Sequence, residues 1–351
     1  MEGLEVSEVL LSKLKITNYE LRFDAEYYSK KNLELNYQLN KVGFKRIKNF
    51  AFVTDGIHTA IDYSEKSNVK LVSATSPREN YFDFSRNVFI SEKSHGENPR
   101  TALQVNDVII STVGTIGNCA VVKLSDLPAN SDRHVGIIRI NSKQFLPNYV
   151  STFLLSKYGR FQTLRESTGN VQLNLFIYKI KILKIANLSI YFQKKIDEMV
   201  CLANNNREQS QLLYHQAEEL LLETIGLKDF QPSQMGTNIK SFKESFLATG
   251  RLDAEYYQPK YEEITAKIKE QQYDMLGNLV NIKKSVEPGS DAYSDEGLPF
   301  IRVSDYNKFG ISTPDKYLSG SYCNENSALL KSLYPTKETI LFSKDGSVGT
   351  A

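Results

Sequence analysis

Cysteine is scarce in this chain, and what there is of it, Cys119, Cys201 and Cys323, is odd in number and widely spaced. That usage speaks against a disulfide framework or a zinc ribbon and for a reducing cytoplasm. No stretch approaches the roughly 18 apolar residues of a membrane-spanning helix. The opening Met-Glu-Gly-Leu-Glu has neither the basic nor the apolar region of a signal peptide. A cytoplasmic protein with no membrane partner and no metal is expected.

Catalytic motifs are missing too. No Lys has Asp or Glu two residues before it, which excludes the Asp/Glu-x-Lys half of the common nuclease metal site. The ten prolines are never adjacent, so the Pro-Pro-aromatic motif of amino-methyltransferases is absent. There is no G-x-x-x-x-G-K-S/T phosphate loop and no H-E-x-x-H zinc helix. His58, His95, His134 and His215 are scattered, although a Ser-His-Asp triad is assembled in space and leaves no mark in spacing. These absences favour a cofactor-free binding protein over an enzyme.

What is present is a repeat. RFDAEYY at residues 22–28 returns as RLDAEYY at residues 251–257. At nearly the same offset Ile47-Lys48-Asn49-Phe50 meets Leu276-Gly277-Asn278-Leu279, and residues 108–117 meet residues 340–349, both closing on Ser-x-x-Gly-x-x-Gly. The chain reads as a tandem duplication, since internal repeats reset every later inference. Ala351 falls opposite Cys119, so the second copy is expected to be incomplete at its C-terminus. Composition is that of a soluble two-domain protein, 41% apolar and 24% charged. Residues 1–186 carry 25 Lys and Arg against 18 Asp and Glu, a modest excess compatible with a polyanion partner.

Each copy predicts a small mixed α/β domain. A short helix follows the heptapeptide, over residues 30–40 in the first copy and after Pro259 in the second, where Tyr261, Ile264 and Ile268 share a face. Strands are expected at residues 70–74, 88–90, 108–113, 119–122 and 135–140, with loops between. From about residue 188 to Gly226 there is neither Pro nor internal Gly, and one long helix is expected. Its approximate heptad seam, Ile196, Val200, Ala203, Arg207, Ser210, Tyr214, Ala217, Leu221 and Thr224, is apolar at both ends and polar in the middle. Such a helix suits a spacer or a docking surface. The expected division is 1–187, 188–226, a linker at 227–250, and 251–351.

The order of these motifs, with Gly169-Asn170-Val171-Gln172-Leu173-Asn174 preceding a Gln193-Lys194-Lys195-Ile196 helix that closes on Ala217-Glu218-Glu219-Leu220-Leu221, resembles the specificity subunit of type I restriction-modification systems. The resemblance implies α+β target-recognition domains joined by a coiled-coil-type helix, each domain reading half of a bipartite site in double-stranded DNA. It also implies two methyltransferase subunits docked on long helices, restriction and translocase subunits in the same complex, and catalysis confined to those partners. Helix residues expected to meet partners are Ile196, Val200, Leu213, Ala217 and Leu220. Residues expected at DNA are His58, Arg78, Arg100, Arg133, His134, Asn170, Gln172 and Asn174 in polar loop-like stretches, Thr115 and Asn118 at the first Gly-x-x-Gly hairpin, and Lys344 and Ser347 at the second. The heptapeptide itself is expected to be structural, with Asp24 and Asp253 capping or bridging to Arg22 and Arg251 and the tyrosines packing. The other classes left open are the recognition part of a fused methyltransferase-nuclease and a tandem β module that binds something other than DNA.

Overall fold

The structure is a computed structural model that describes residues 6–12, 14, 22–86, 88–169, 171–344 and 349. It divides into two compact units, Met1–Leu220 and Leu221–Ala351.

In the first unit, helix α1 (Lys30–Val42) begins where the Ser29 hydroxyl caps the Asn32 amide and ends at Gly43, whose φ of +88° an L side chain would resist. Strands β1 (Phe44–Arg46) and β9 (Lys184–Ala186) pair antiparallel. Between them in sequence lies a four-stranded antiparallel sheet in the order β2 (Ala51–Asp55), β8 (Val135–Ile140), β5 (Val108–Ser111), β6 (Cys119–Val121). A second sheet orders β4 (Phe89–Ile90), β3 (Val69–Val72) and β7 (Ala129–Ser131), with β3 and β7 parallel and the short helix α2 (Glu92–Gly96) following β4.

The central strands are apolar without alternation because the four-stranded sheet is covered on both faces. Val108, Ile110 and Ile138 pack with Phe50, Phe145, Tyr149, Leu154 and Ile180. Ile109, Val135 and Ile137 pack with Val72, Leu103 and Val122. The first face is roofed by α3 (Pro147–Leu155), which has proline at its first position, and by α5 (Ile177–Ile182), while α4 (Lys157–Glu166) packs beside α3. The sequence pattern alone predicts only strands and loops there.

The heptapeptide folds as expected. Arg22 Nε lies 2.8 Å from Asp24, whose other oxygen accepts the Tyr27 amide at 3.0 Å. Tyr27 is buried, and its hydroxyl lies 3.2 Å from Glu166, which also accepts from the buried Lys179 ammonium at 2.9 Å.

Helix α6 (Ile190–Thr224) has 35 residues and spans roughly 50 Å. Its first half is built into the first unit. Gln193 is fully buried and bonds Gln144, Leu146 and Leu188 backbone atoms at 2.9 to 3.0 Å. Asn204 donates to the Asn80 carbonyl at 3.1 Å, the Arg207 guanidinium lies 3.2 Å from the centre of the Tyr81 ring, and Glu208 pairs with Lys123 at 2.6 Å. Two of the residues expected to meet a partner therefore do something else: Ile196 packs on the domain core and Val200 is buried. The seam that remains open keeps Ala203, Ser210 and Ala217 of the expected one and takes the residue before each of Val200, Arg207, Tyr214 and Leu221. Met199, Ala203, Asn206, Ser210, Leu213, Ala217 and Leu220 on it are all exposed.

The second unit has its own elements. RLDAEYY repeats the local geometry, with Arg251 held by both oxygens of Asp253 at 2.7 and 2.5 Å, and a helix runs over Pro259–Lys269. Short strands Tyr293–Ser294, Leu298–Pro299 and Tyr317–Leu318 form one antiparallel sheet, and Tyr306–Asn307 pairs with Gly310–Ile311. Among the described residues its buried apolar side chains are Ala292, Leu318 and Leu330.

Candidate nucleic-acid interface

Strand directions bring several loops to one rim of the first unit. Asp55 at the end of β2 pairs with Gly136 near the start of β8, and Ser111 at the end of β5 pairs with Val135. Val72 and Ser131 end the parallel strands β3 and β7 side by side, and Ile57 bridges to Asp132 just beyond. The two backbones cross so closely that a Cβ on Gly56 would collide with the carbonyls of Ser131 and Asp132. Val113 bridges to Asn174, and the Leu175 amide donates to Thr112 at 2.9 Å, which adds the 168–175 loop.

Most of the residues picked from sequence meet on this rim, and most are tied to it. His58 Nε2 lies 2.5 Å from an Asp55 oxygen; Arg100 reaches the other oxygen at 3.2 Å, the Asp55 carbonyl at 3.0 Å, and the Thr54 hydroxyl. Burial alone would raise the Asp55 carboxyl, but its bonds to His58 and Arg100 outweigh that and hold it below the ordinary carboxylate range. His134 Nδ1 lies 3.2 Å from Asp132, and Arg133 between them is exposed. Asn174 and Thr168 exchange backbone bonds at 3.0 and 2.8 Å, leaving Gln172 exposed at the loop tip.

The hairpin from β5 to β6 is tight. The Gly117 amide donates to Ser111 at 3.0 Å, Gly114 and Gly117 hold φ of +69° and +83°, and Thr115 is exposed with its hydroxyl 3.4 Å from the Ala74 carbonyl. Asn118 is engaged inward, accepting from Arg160 at 2.7 Å. Arg78 sits beside the rim in the 76–83 turn and pairs with Asp83 at 3.0 Å. Lys344 is exposed in the second unit, 3.7 Å from Glu287. Asn170 and Ser347 lie outside the described residues.

Sequence reasoning missed the carboxylates. Asp55 holds His58 and Arg100, Asp132 holds His134 and Asp83 holds Arg78, so the rim is a lattice of paired side chains rather than a bare basic patch. The spacing Asp55-x-x-His58 and Asp132-x-His134 was the available signal. Among the described residues no group of three His, Cys, Asp or Glu side chains could hold a metal ion, and no helix is long and apolar enough to cross a membrane.

No protein-family model and no curated protein matches the chain. Solved structures do. The S subunit of a type I restriction-modification system from M. genitalium is 14% identical, with a TM-score of 0.38 over 77% of this chain and 62% of that one. The HsdS subunit from Thermoanaerobacter tengcongensis is 12% identical, with a TM-score of 0.34 over 58% of this chain and 50% of that one. A chain from a structure describing complex assembly and conformational transition of the type I R-M system is 14% identical, with a TM-score of 0.34 over 62% and 53%. Two of these three are S subunits. This chain spans between half and about three-fifths of the length of the solved chains it matches.

Proposed function

We propose that the chain is a DNA-recognition subunit of a type I restriction-modification complex, non-catalytic and cytoplasmic, with methyl transfer and cleavage carried by partner subunits. The observation that carries this reading is the doubled pattern. The Ser-x-x-Gly-x-x-Gly loop closes in both units with one bond, Gly117 to Ser111 and Gly349 to Ser343, each 3.0 Å, and with φ of +83° and +88° at the last glycine. Asn106 and Glu338, equivalent positions just before the strand-like segment, share a left-handed φ of +74° and +71°. The same closing bond at the end of the same motif, twice on one chain, suits a reader of two half-sites, because side chains on loops discriminate base edges while phosphate contacts set register.

In this reading residues 1–187 and 251–351 are the two target-recognition domains, 188–226 the long spacer helix and 227–250 a linker. The rim residues His58, Arg100, Thr115, Arg133, His134 and Gln172 face DNA. The open seam from Met199 to Ala217 takes methyltransferase subunits, two per specificity subunit, with restriction and translocase subunits joining the same complex. Asn118 supports the hairpin instead of touching DNA.

The experiment is a gel shift of the purified chain on random and defined duplexes across a salt series, alone and with the methyltransferase subunit. Weak, salt-sensitive binding that the partner tightens is expected, because phosphate contacts release counterions. Absence of DNA binding in both conditions, or methyl transfer by the chain alone, overturns the reading.

A further inference from the structure

The two histidines of the rim share an arrangement that general polarity does not require. Each imidazole is largely exposed, 57% for His58 and 43% for His134, and each rests on a more covered carboxylate, Asp55 at 27% and Asp132 at 17%. The rings are engaged through opposite nitrogens: Nε2 of His58 faces Asp55, and Nδ1 of His134 faces Asp132. An ionised carboxylate only accepts hydrogen bonds, so the engaged nitrogen carries the proton. Nδ1 of His58 and Nε2 of His134 are then bare lone pairs in the neutral ring, which a phosphate oxygen repels. Adding a proton turns each into a donor.

The two pairs are neighbours. Ile57 and Asp132 form a backbone bridge, and the Ile57 amide donates to Ser131 at 2.8 Å, so the His58 and His134 turns leave the sheet side by side. Among the described residues, Asp55 and Arg100 are paired beside His58, Asp132 is paired with His134, and the exposed Arg133 lies between Asp132 and His134 in sequence; from the β5 end the Thr112 amide bonds the His134 carbonyl at 3.1 Å. The chain's other histidines are placed differently. His95 bonds the buried Asn130, and His215 lies 3.6 Å from Glu219 on the long helix.

We propose that His58 and His134 are a proton-coupled phosphate contact: on binding DNA each ring takes a proton from the buffer, keeps one N–H on its aspartate and donates the other to a backbone phosphate. This rests on the DNA-recognition reading and adds to it that affinity is linked to pH. Imidazole is the side chain that changes charge near neutrality, and phosphate contacts dominate affinity.

The test measures Kd for a duplex by fluorescence anisotropy from pH 6 to 8 at constant ionic strength, with the full chain. Linkage of one proton tightens Kd by up to about tenfold per pH unit, and of two by up to about a hundredfold. His58→Gln and His134→Gln should each flatten the slope of log Kd against pH, and the double substitution should abolish it, whatever the Kd at any one pH; His215→Gln should keep it. Titration calorimetry of the unsubstituted chain in buffers of different ionisation enthalpy counts protons taken up without relying on any variant. Binding with a flat pH profile and no proton uptake overturns this inference and leaves the DNA reading standing, as does a slope that survives the double substitution. No binding at any pH overturns both.

Discussion

Lys179 donates to Glu166 across 2.9 Å with both side chains nearly out of solvent, at 4% and 11% exposure. Glu166 also takes the Tyr27 hydroxyl, so the first heptapeptide is fastened to the end of α4 through a buried ion pair. Lys179→Met would strand the Glu166 charge and should cost about 3–5 kcal/mol, whereas Lys179→Met with Glu166→Met should cost clearly less, because removing one partner of a buried pair is worse than removing both. Urea unfolding of the two variants checks this. Equal losses would show that the carboxylate is solvated by another route.

Lys184 carries a pH dependence of opposite sense to an ordinary ion pair. Burial, helped by Arg46 and Arg165, lowers its ammonium to about 8, although Asn36 and Asn40 accept from it at 2.6 and 3.0 Å. The charged form is therefore penalised in the fold. That penalty is complete below about pH 8 and disappears as pH rises toward the unfolded value near 10.4. Because the amine is partly exposed, screening leaves it on the order of 1–2 kcal/mol. Stability of the wild type relative to Lys184→Met should rise between pH 8 and 10, measured as the difference in unfolding free energy. A pH-independent difference would refute it.

The long helix separates two roles that its heptad pattern merged. Val200→Asp places a charge against the domain and should cost several kcal/mol, releasing the helix. Leu213, 55% exposed on the open seam, should accept Asp with less than about 1 kcal/mol of change in the free chain while losing assembly with a methyltransferase subunit. Thermal unfolding and size-exclusion of the mixture read the two effects apart; assembly undisturbed by Leu213→Asp would remove the seam from the interface.

Much of this was legible because local chemistry decided it. Gly226, with φ of +71°, stops the long helix, and Pro259 starts the helix that follows the second heptapeptide. The β5 and β8 runs announced buried strands. The polar middle of the helix was visible but not its reason: Asn204 and Arg207 are polar because they bond Asn80 and stack on Tyr81, contacts made across more than a hundred residues. Helices α3 to α5 were missed because Tyr149, Val150, Leu154 and Ile180 answer to a sheet that one segment cannot reveal. At the rim the cations were legible one by one. Their aspartates were not, since pairing is a property of where strands end.

Protection should differ sharply between the two units. The heptapeptides are nearly identical and make the same Arg–Asp bridge, yet Tyr27 is 5% exposed and its counterpart Tyr256 is 43% exposed. The difference is in what lies over them: Tyr27 has Glu166 and Arg165, the latter 3.8 Å from its ring centre, whereas Tyr256 has Arg251 at 4.4 Å. The same contrast runs through the cores. Strands β5 and β8 are sealed on two faces, while the strands of the second unit are two residues long and gather around Ala292 and Leu318. Opening free energy follows buried apolar contact, so amides in residues 251–344 should exchange by local opening well below the global unfolding free energy, and those in β5 and β8 only near it. Hydrogen exchange with mass spectrometry on the isolated chain reads this directly, and limited proteolysis should cut first within 251–344. Matched protection in the two units would mean that the second is sealed by contacts other than these few apolar residues.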